Sequence, residues 1–298
     1  MDINAATLRG IYTGLSTAFN GRFASVQSYY QMLAMTVNST TAQNEYPRLD
    51  DLPGFREWFG DRVVHDLSAS TYVIRNREFE KTIAIKRSQI EDDSFGFFTN
   101  VAGQMGQDAA EFPDQLVFPL VKSADTIKCY DGQYFFDTDH PGFDPVNGQA
   151  TSVANFTDGA QPAWYLIDDS QVMKPFVYQP RKKFVLTPMQ SPDDPNVFYQ
   201  GKFVWGVDGR CNAGLGMWQL AYKSKAALTE ANFNAAYTAM TTIRRRDGTV
   251  LNIKPRKILV PPALRLTAKK LLEAELVNGG ETNVLAKSIE VVDIPYLA

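Results

Sequence analysis

Residues 70–93 read STYVIRNREFEKTIAIKRSQIEDD, which places two β-rich runs directly before an acidic segment. In the second run, 79–87, apolar and β-branched residues alternate with charged ones, and this pattern favours a strand. The first run, 70–78, has the same character, so the pair predicts a hairpin that turns near Asn76. Because both strands carry charges on more than one face, we expect the hairpin to protrude.

The segment after these strands predicts two helices. Residues 91–94, Glu-Asp-Asp-Ser, are types that cap a helix start and complement its dipole. A first helix is expected from about 95 to 110. A second is expected from Pro113, since proline suits a first turn, to about Lys122. Pro119 predicts a kink in this second helix.

The region before the strands predicts an arm. Residues 4–19 place Leu8, Ile11, Leu15 and Phe19 at helical spacing. The stretch from there to about Arg48 is polar, with isolated aromatic residues. Such an arm has too thin an apolar stripe to fold alone, so we expect it to lie on a neighbour.

The region after the helices indicates the α+β class. Residues 164–222 are mostly strand-like, with a turn expected at 191–196. From residue 226 helical and strand-like segments alternate, ending in a strand at about 288–294.

The composition indicates a globular protein and excludes several classes of site. The chain has 298 residues, of which 44% are hydrophobic, which is enough for two domains. The formal net charge of −3 offers no argument for nucleic-acid binding. Two cysteines exclude a disulfide framework and a four-cysteine zinc site, and two histidines leave few options for histidine-based catalysis or metal binding. The chain contains no run as apolar as a membrane helix and no secretory signal, so we expect no membrane association.

One cluster, Asp137, Asp139 and His140, has the residue types of a metal site. A metal-dependent hydrolase is therefore an open alternative, although a polar turn before Pro141 explains the same residues. The chain has no Gly-x-Ser-x-Gly elbow and no P-loop. We therefore predict a protein that is not an enzyme and needs no cofactor or metal.

Motifs along the chain resemble the major head subunit family of Mu-like phages and prophages, the gpT family. They include Ser-Thr-Thr at 39–41, Pro-x-x-Arg-Glu-Trp-x-Gly-x-Arg at 53–62, Asn-x-x-Phe-Glu-x-Thr at 76–82 and the acidic pair at 92–93. Further matching segments are 105–106, 113–117, 131–140, 164–166, 212–222 and 260–264. Their number and order make the resemblance specific over nearly the whole chain.

The resemblance implies the Hong Kong 97-type major capsid fold, an α+β fold in which an N-terminal arm crosses neighbouring subunits. It places the arm at 1–50 and a hairpin called the E-loop, which lies over the next subunit, at 51–88. A peripheral domain with the long spine helix and long strands then occupies 89–225, and the axial domain core occupies 226–298. Because the candidate long strands precede the axial helices, we also predict a permuted order of these two parts.

The resemblance also implies a function. It describes a major capsid protein that self-assembles into hexamers and pentamers, forming the icosahedral shell around a tailed phage's dsDNA genome. The implied partners are further copies, a separate scaffold protein, a portal, a decoration protein and packaged DNA bound without sequence specificity. The implied location is the virion, after assembly in the bacterial host cytoplasm. An encapsulin-like shell protein is the alternative on the same fold.

The candidate contacts between subunits lie within 54–62, GFREWFGDR. They are Arg56, Glu57, Trp58, Phe59 and Arg62, because aromatic residues and arginine dominate protein interfaces. A buried core position is the alternative for Trp58.

Overall fold

The computed structural model describes residues 4–46, 72–92, 95–143, 149–245, 248–276 and 280–298. Its helices are α1 (Ala5–Ser25), α2 (Arg87–Glu91), α3 (Phe95–Ser123), α4 (Pro195–Gln200), α5 (Glu230–Thr241) and α6 (Arg265–Leu272). Its strands are β1 (Ala34–Thr36), β2 (Gln43–Tyr46), β3 (Tyr72–Arg75), β4 (Arg77–Lys86), β5 (His140–Phe143), β6 (Ala150–Val153), β7 (Phe156–Thr157), β8 (Trp164–Ile167), β9 (Phe176–Met189), β10 (Lys202–Leu215), β11 (Ala221–Ser224), β12 (Lys257–Val260) and β13 (Glu290–Asp293). None of these helices is long and apolar enough to cross a membrane.

The long strands β9 and β10 form the centre of a four-stranded sheet with the order β1-β9-β10-β4. β10 pairs antiparallel with both β9 and β4, and β1 adds in parallel to β9. Alternate residues of β10, among them Phe203, Trp205 and Val207, are buried. This period of two turns one face of the sheet towards a core.

Helices α1 and α3 cover that buried face. α1 buries Leu8, Ile11, Leu15 and Phe19, the four residues whose spacing predicted the helix. They join a cluster with Met105 of α3 and Trp205 of β10. The predicted helix at 4–19 is therefore confirmed, and it continues to Ser25.

The prediction of two helices at 95–110 and 113–122 is wrong, because α3 is one helix of 29 residues with both prolines inside it. An interior proline costs a helix about 3 kcal/mol. Burial offsets this cost at both ends of α3, since Met105 lies in the core under α1 while Phe118 lies in a second core. The hydroxyl of Ser123 donates to the carbonyl of Pro119 at 2.8 Å.

The second core surrounds a five-stranded sheet with the order β13-β12-β8-β11-β7. β12 pairs in parallel with β13 and antiparallel with β8, and β8 pairs antiparallel with β11. β7, β8 and β11 precede residue 226, whereas β12 and β13 follow it. A division of the chain at 225/226 would therefore run through this sheet.

The predicted hairpin between 70–78 and 79–87 is also wrong. β3 pairs with β2, and β4 pairs with β10, so the two adjacent segments have different partners. Only Asn76 separates β3 from β4, and its N–H donates to the carbonyl of Ala42 at 3.0 Å. The chain therefore passes through Asn76 from β3 to β4 without forming a hairpin turn.

The predicted turn at 191–196 leads into a short helix instead of a strand, because α4 occupies Pro195–Gln200 before β10 begins. Both long strands nevertheless lie under α1 and α3 and precede α5 and α6 along the chain. The permuted order of the two domains stays a prediction.

Candidate assembly surfaces

The N-terminal segment docks on its own chain. α1 lies along α3, and Arg22 Nε and Nη2 donate to Gln107 Oε1 at 3.1 and 2.7 Å. The backbones approach so closely that a Cβ on Gly106 would lie 2.3 Å from the carbonyl oxygen of Phe19. Residues 5–25 of the predicted arm therefore pack on α3 of their own chain.

A buried carboxylate fixes the chain beyond α1. Asp114 of α3 is 1% exposed and accepts the N–H groups of Tyr29 and Tyr30 at 3.1 and 2.7 Å. Burial raises the pKa of Asp114 to about 6, although both hydrogen bonds oppose this shift. These two hydrogen bonds hold the start of the segment between α1 and β1 against the middle of α3.

The paired strands β2 and β3 lie on either side of segment 47–71 in the sequence. Gln179 of β9 is buried under this pair of strands and accepts the Tyr46 hydroxyl at 2.7 Å. Its amide group donates to the carbonyl of Ile74 and to Asn76 Oδ1 at 3.1 and 2.9 Å. These bonds attach the β2–β3 pair to the four-stranded sheet. The five predicted contact residues, Arg56, Glu57, Trp58, Phe59 and Arg62, lie outside the described residues.

The outer edge of the four-stranded sheet is β4, which pairs with β10 on one side and, within the described ranges, with no strand on the other. Most of its residues are exposed, and it is charge-rich. Glu78 pairs with Arg210 at 3.2 Å, and Lys81 pairs with Asp108. Charged residues on an edge strand discourage pairing with strands of other chains.

An open groove of about 400 Å³ runs between α3 and the strands β4, β9 and β10. Its apolar lining is Phe79, Met105, Ala109, Phe112, Phe184 and Val207, and its polar lining is Glu80, Lys81, Asp108 and Gln115. The rings of Phe79 and Phe112 lie 4.6 Å apart between centroids, close enough for an edge contact. The groove therefore offers aromatic surface with charges at its margin.

A buried ion cluster joins the end of α3 to the five-stranded sheet. Asp125 Oδ2 accepts from both Lys223 Nζ and Lys225 Nζ at 2.9 Å. The Lys223 side chain is 2% exposed, and its ammonium group also donates to the carbonyl of Lys122 at 2.8 Å. Burial lowers the pKa of Lys223, and the bonds to Asp125 oppose that shift. The cluster ties α3 to β11.

The three side chains that suggested a metal site point to separate partners. His140 is fully buried, its Nδ1 lies 2.7 Å from Asp131 Oδ2, and its ring stacks on Trp218 at 3.8 Å between centroids. Asp137 accepts the N–H groups of Tyr134 and Thr138, and Asp139 is exposed. Across the described ranges, no three His, Cys, Asp or Glu residues are grouped to hold a metal ion.

One exposed feature escaped the sequence analysis. Phe198 and Tyr199 of α4 are 74% and 80% exposed, at the end of the β9–β10 connection. A helix of six residues is too short to give a periodic signal, and the run Phe198–Trp205 reads as strand.

The family model of the Mu-like prophage major head subunit gpT matches residues 8–297. The Mu-like prophage FluMu major head subunit of Haemophilus influenzae is 39% identical over 275 residues, covering 90% of this chain and 89% of the relative. The major capsid protein of Escherichia phage Mu is 36% identical over 289 residues and 95% of both chains. A chain of the bacteriophage JBD30 procapsid has a TM-score of 0.89 and 39% identity, covering 99% of this chain and 100% of that one.

Proposed function

The chain belongs to the Mu-like prophage major head subunit gpT family, and from this premise we propose that it forms hexamers and pentamers in an icosahedral head. It is a major capsid protein of a tailed phage with the Hong Kong 97-type fold, a structural component of the virion and not an enzyme. The relatives named above are phage head proteins, which supports neither an encapsulin-like protein nor a metal-dependent hydrolase.

The observation that carries the proposal is the extent of the match. A procapsid chain superimposes on 99% of this one, so the same elements are available for the same assembly. Sedimentation velocity of the purified chain, alone and with a co-expressed scaffold protein, tests it. We expect particles far heavier than the 33.3 kDa monomer. A species that stays monomeric at high concentration in both cases would contradict the proposal.

We divide the chain into four parts on the family pattern. The arm is 1–50 and the E-loop 51–88, and the last part of this range includes β4, which pairs with β10 in the four-stranded sheet. The peripheral part contains α3, β9 and β10. The axial part is residues 226–298 together with β7, β8 and β11, because these strands belong to the same sheet as β12 and β13.

The proposed contacts between subunits lie in segment 47–71, between β2 and β3. The strands on either side of segment 47–71 pair with each other, and the residues between them are expected to reach the next subunit. Trp58 and Phe59 supply the aromatic anchors, and Arg56, Glu57 and Arg62 the charges beside them.

A paired substitution tests these contacts. We expect Trp58→Ala with Phe59→Ala to leave a folded subunit with wild-type circular dichroism but to reduce the assembled fraction at least tenfold in sedimentation. The control is Val172→Ala, at an apolar residue that is 92% exposed between β8 and β9, which should leave both the fold and the assembled fraction unchanged. If the double variant assembles normally, Trp58 and Phe59 do not form the contact. If the double variant is unfolded, Trp58 is a core residue.

The remaining partners are a scaffold protein, a portal, a decoration protein and DNA. DNA contact rests on the family pattern alone, because the near-neutral balance of 30 basic and 33 acidic residues gives no electrostatic argument for it. Pull-down of the assembled particles from infected or induced cells, followed by mass spectrometry, identifies which of these partners are present.

A further inference from the structure

The connection between the two long strands ends in an exposed aromatic pair. Phe198 and Tyr199 are 74% and 80% exposed, and their rings meet edge to face at 5.0 Å between centroids. Two such rings in contact with solvent are unfavourable for an isolated subunit. We call residues 191–201 the tip.

Capping residues and side-chain hydrogen bonds fix the backbone that carries these rings. Pro195 occupies its first helical turn, and Gly201 ends the helix in the left-handed region at a φ of 61°. Asn196 Nδ2 donates to the carbonyls of Met189 and Lys202 at 3.0 and 2.8 Å, which closes the base of the tip. A backbone that is already fixed loses little further conformational entropy when a partner covers the rings.

The tip is also anchored from beneath. Val197 is buried in the cluster under α1, and the N–H of Arg87 donates to the carbonyl of Gly201 at 2.8 Å. Asp194 Oδ2 accepts the N–H of Ser191 at 2.7 Å. The fold therefore keeps one side of α4 in the core and leaves its two aromatic residues outside.

The tip lies at the end of the subunit away from the five-stranded sheet. Gln190, beside the tip, donates to the carbonyl of Leu8 at the start of α1. At the other end of the helical layer, the ring of Phe118 in α3 stacks on Tyr296 at 5.5 Å. The aromatic pair thus points away from the body of its own chain.

We propose that the tip binds a second copy of this chain, with Phe198 and Tyr199 as the anchors of the contact. This inference rests on the proposed function, because each copy in a closed shell contacts several other copies. Aromatic residues at the centre of a contact supply most of its binding energy.

The charges beside the rings favour a copy of the chain over nucleic acid. Asp193 is exposed, Lys202 is half-buried, and Arg87 pairs with Glu91 at 2.9 Å. Both signs therefore occur at the tip, so it can meet an equally mixed surface without like-charge repulsion. A nucleic-acid surface would instead need a basic patch.

Thiol labelling tests the contact. Cys129 and Cys211 are buried and burial raises the pKa of the Cys211 thiol, so an introduced surface cysteine reacts first. We expect the thiol of Tyr199→Cys to react with a maleimide at least tenfold more slowly in assembled particles than in dissociated subunits. The control is Val172→Cys, at a residue that is 92% exposed between β8 and β9.

A thiol-to-amine cross-linker then identifies the partner. Particles of Tyr199→Cys should give a covalent dimer of twice 33.3 kDa, in which the introduced thiol is joined to a lysine of another copy. Assembled particles in which this thiol labels as fast as in free subunits would overturn the proposal, as would cross-links to a different protein alone.

A variant that fails to assemble is also informative. If folded Tyr199→Cys subunits do not assemble while Val172→Cys subunits do, the tip is required and the proposal stands. If the wild-type chain forms no particles under any condition, the proposed function fails and the tip proposal fails with it. The two failures are distinguished by wild-type assembly.

Discussion

At the scale of single residues, the buried pair of His140 and Asp131 shows why a cluster that resembles a metal site serves the fold. Both side chains are fully buried, and the imidazole is held between a carboxylate and the Trp218 ring. The pair lies where β5 begins, so it fixes the base of the β5–β6 hairpin to the core.

Removing Asp131 should destabilise the subunit strongly. Asp131→Ala leaves the imidazole with neither nitrogen hydrogen-bonded, since Nε2 has no partner among the described residues. We expect a loss of about 2–3 kcal/mol in the free energy of unfolding, measured by urea titration. The exposed Asp139→Ala is the control, with an expected change within about 0.5 kcal/mol. Equal losses in both variants would contradict this account.

Asp114 should make stability depend on pH. Its folded-state pKa of about 6 lies above the ordinary value of 3.8, so the folded chain binds this proton more tightly than the unfolded chain. The contribution to stability is therefore present in acid and is lost as the pH rises through 6. Relative to Asp114→Asn, the wild type should lose on the order of 2 kcal/mol between pH 4 and pH 7, measured by denaturation at each pH. A difference between the two proteins that stays constant with pH would show that Asp114 does not titrate in this way.

At the scale of elements, the crossing of α1 and α3 depends on one glycine. A Cβ on Gly106 would lie 2.3 Å from the Phe19 carbonyl oxygen, whereas Gly103 has nothing within 4 Å. Gly106→Ala should therefore lower the thermal midpoint, because the two backbones must separate. Gly103→Ala should raise stability by roughly 0.5–1 kcal/mol through helix propensity. A stabilised Gly106→Ala would show that the helices do not pack as described.

Local patterns predicted some elements correctly and others wrongly, for physical reasons. Leu8, Ile11, Leu15 and Phe19 predicted α1 because an amphipathic stripe is a local signal. Strand partners are not local, so adjacent β3 and β4 suggested a hairpin although each pairs elsewhere. The prolines of α3 indicated a break because sequence spacing does not reveal the two cores that bury the helix.

The assembly surfaces were less predictable than the fold. Trp58 and Phe59 attract attention as an aromatic pair in a short segment, and they remain a prediction. Phe198 and Tyr199 carry the same chemistry, but neighbouring β-rich residues made them read as part of a strand. Their exposure becomes evident only when Val197 is seen to be buried beneath them.

At the scale of the whole molecule, α3 joins two sheets that have separate cores. Its first part packs on the four-stranded sheet, and its end meets the five-stranded sheet through the buried ion cluster at Asp125. Segment 47–71 follows β2 along the chain, and the tip follows β9. A rigid frame with separate contact surfaces is suited to a closed shell, in which each copy must meet several neighbours.

The most direct test of the central claim is an electron cryo-microscopy reconstruction of the particles that the chain forms. We expect a closed icosahedral shell of hexamers and pentamers into which the subunit fits as described, with segment 53–62 and the tip against neighbouring copies. Particles with no closed symmetry, or a purified chain that yields only monomers, would contradict the account.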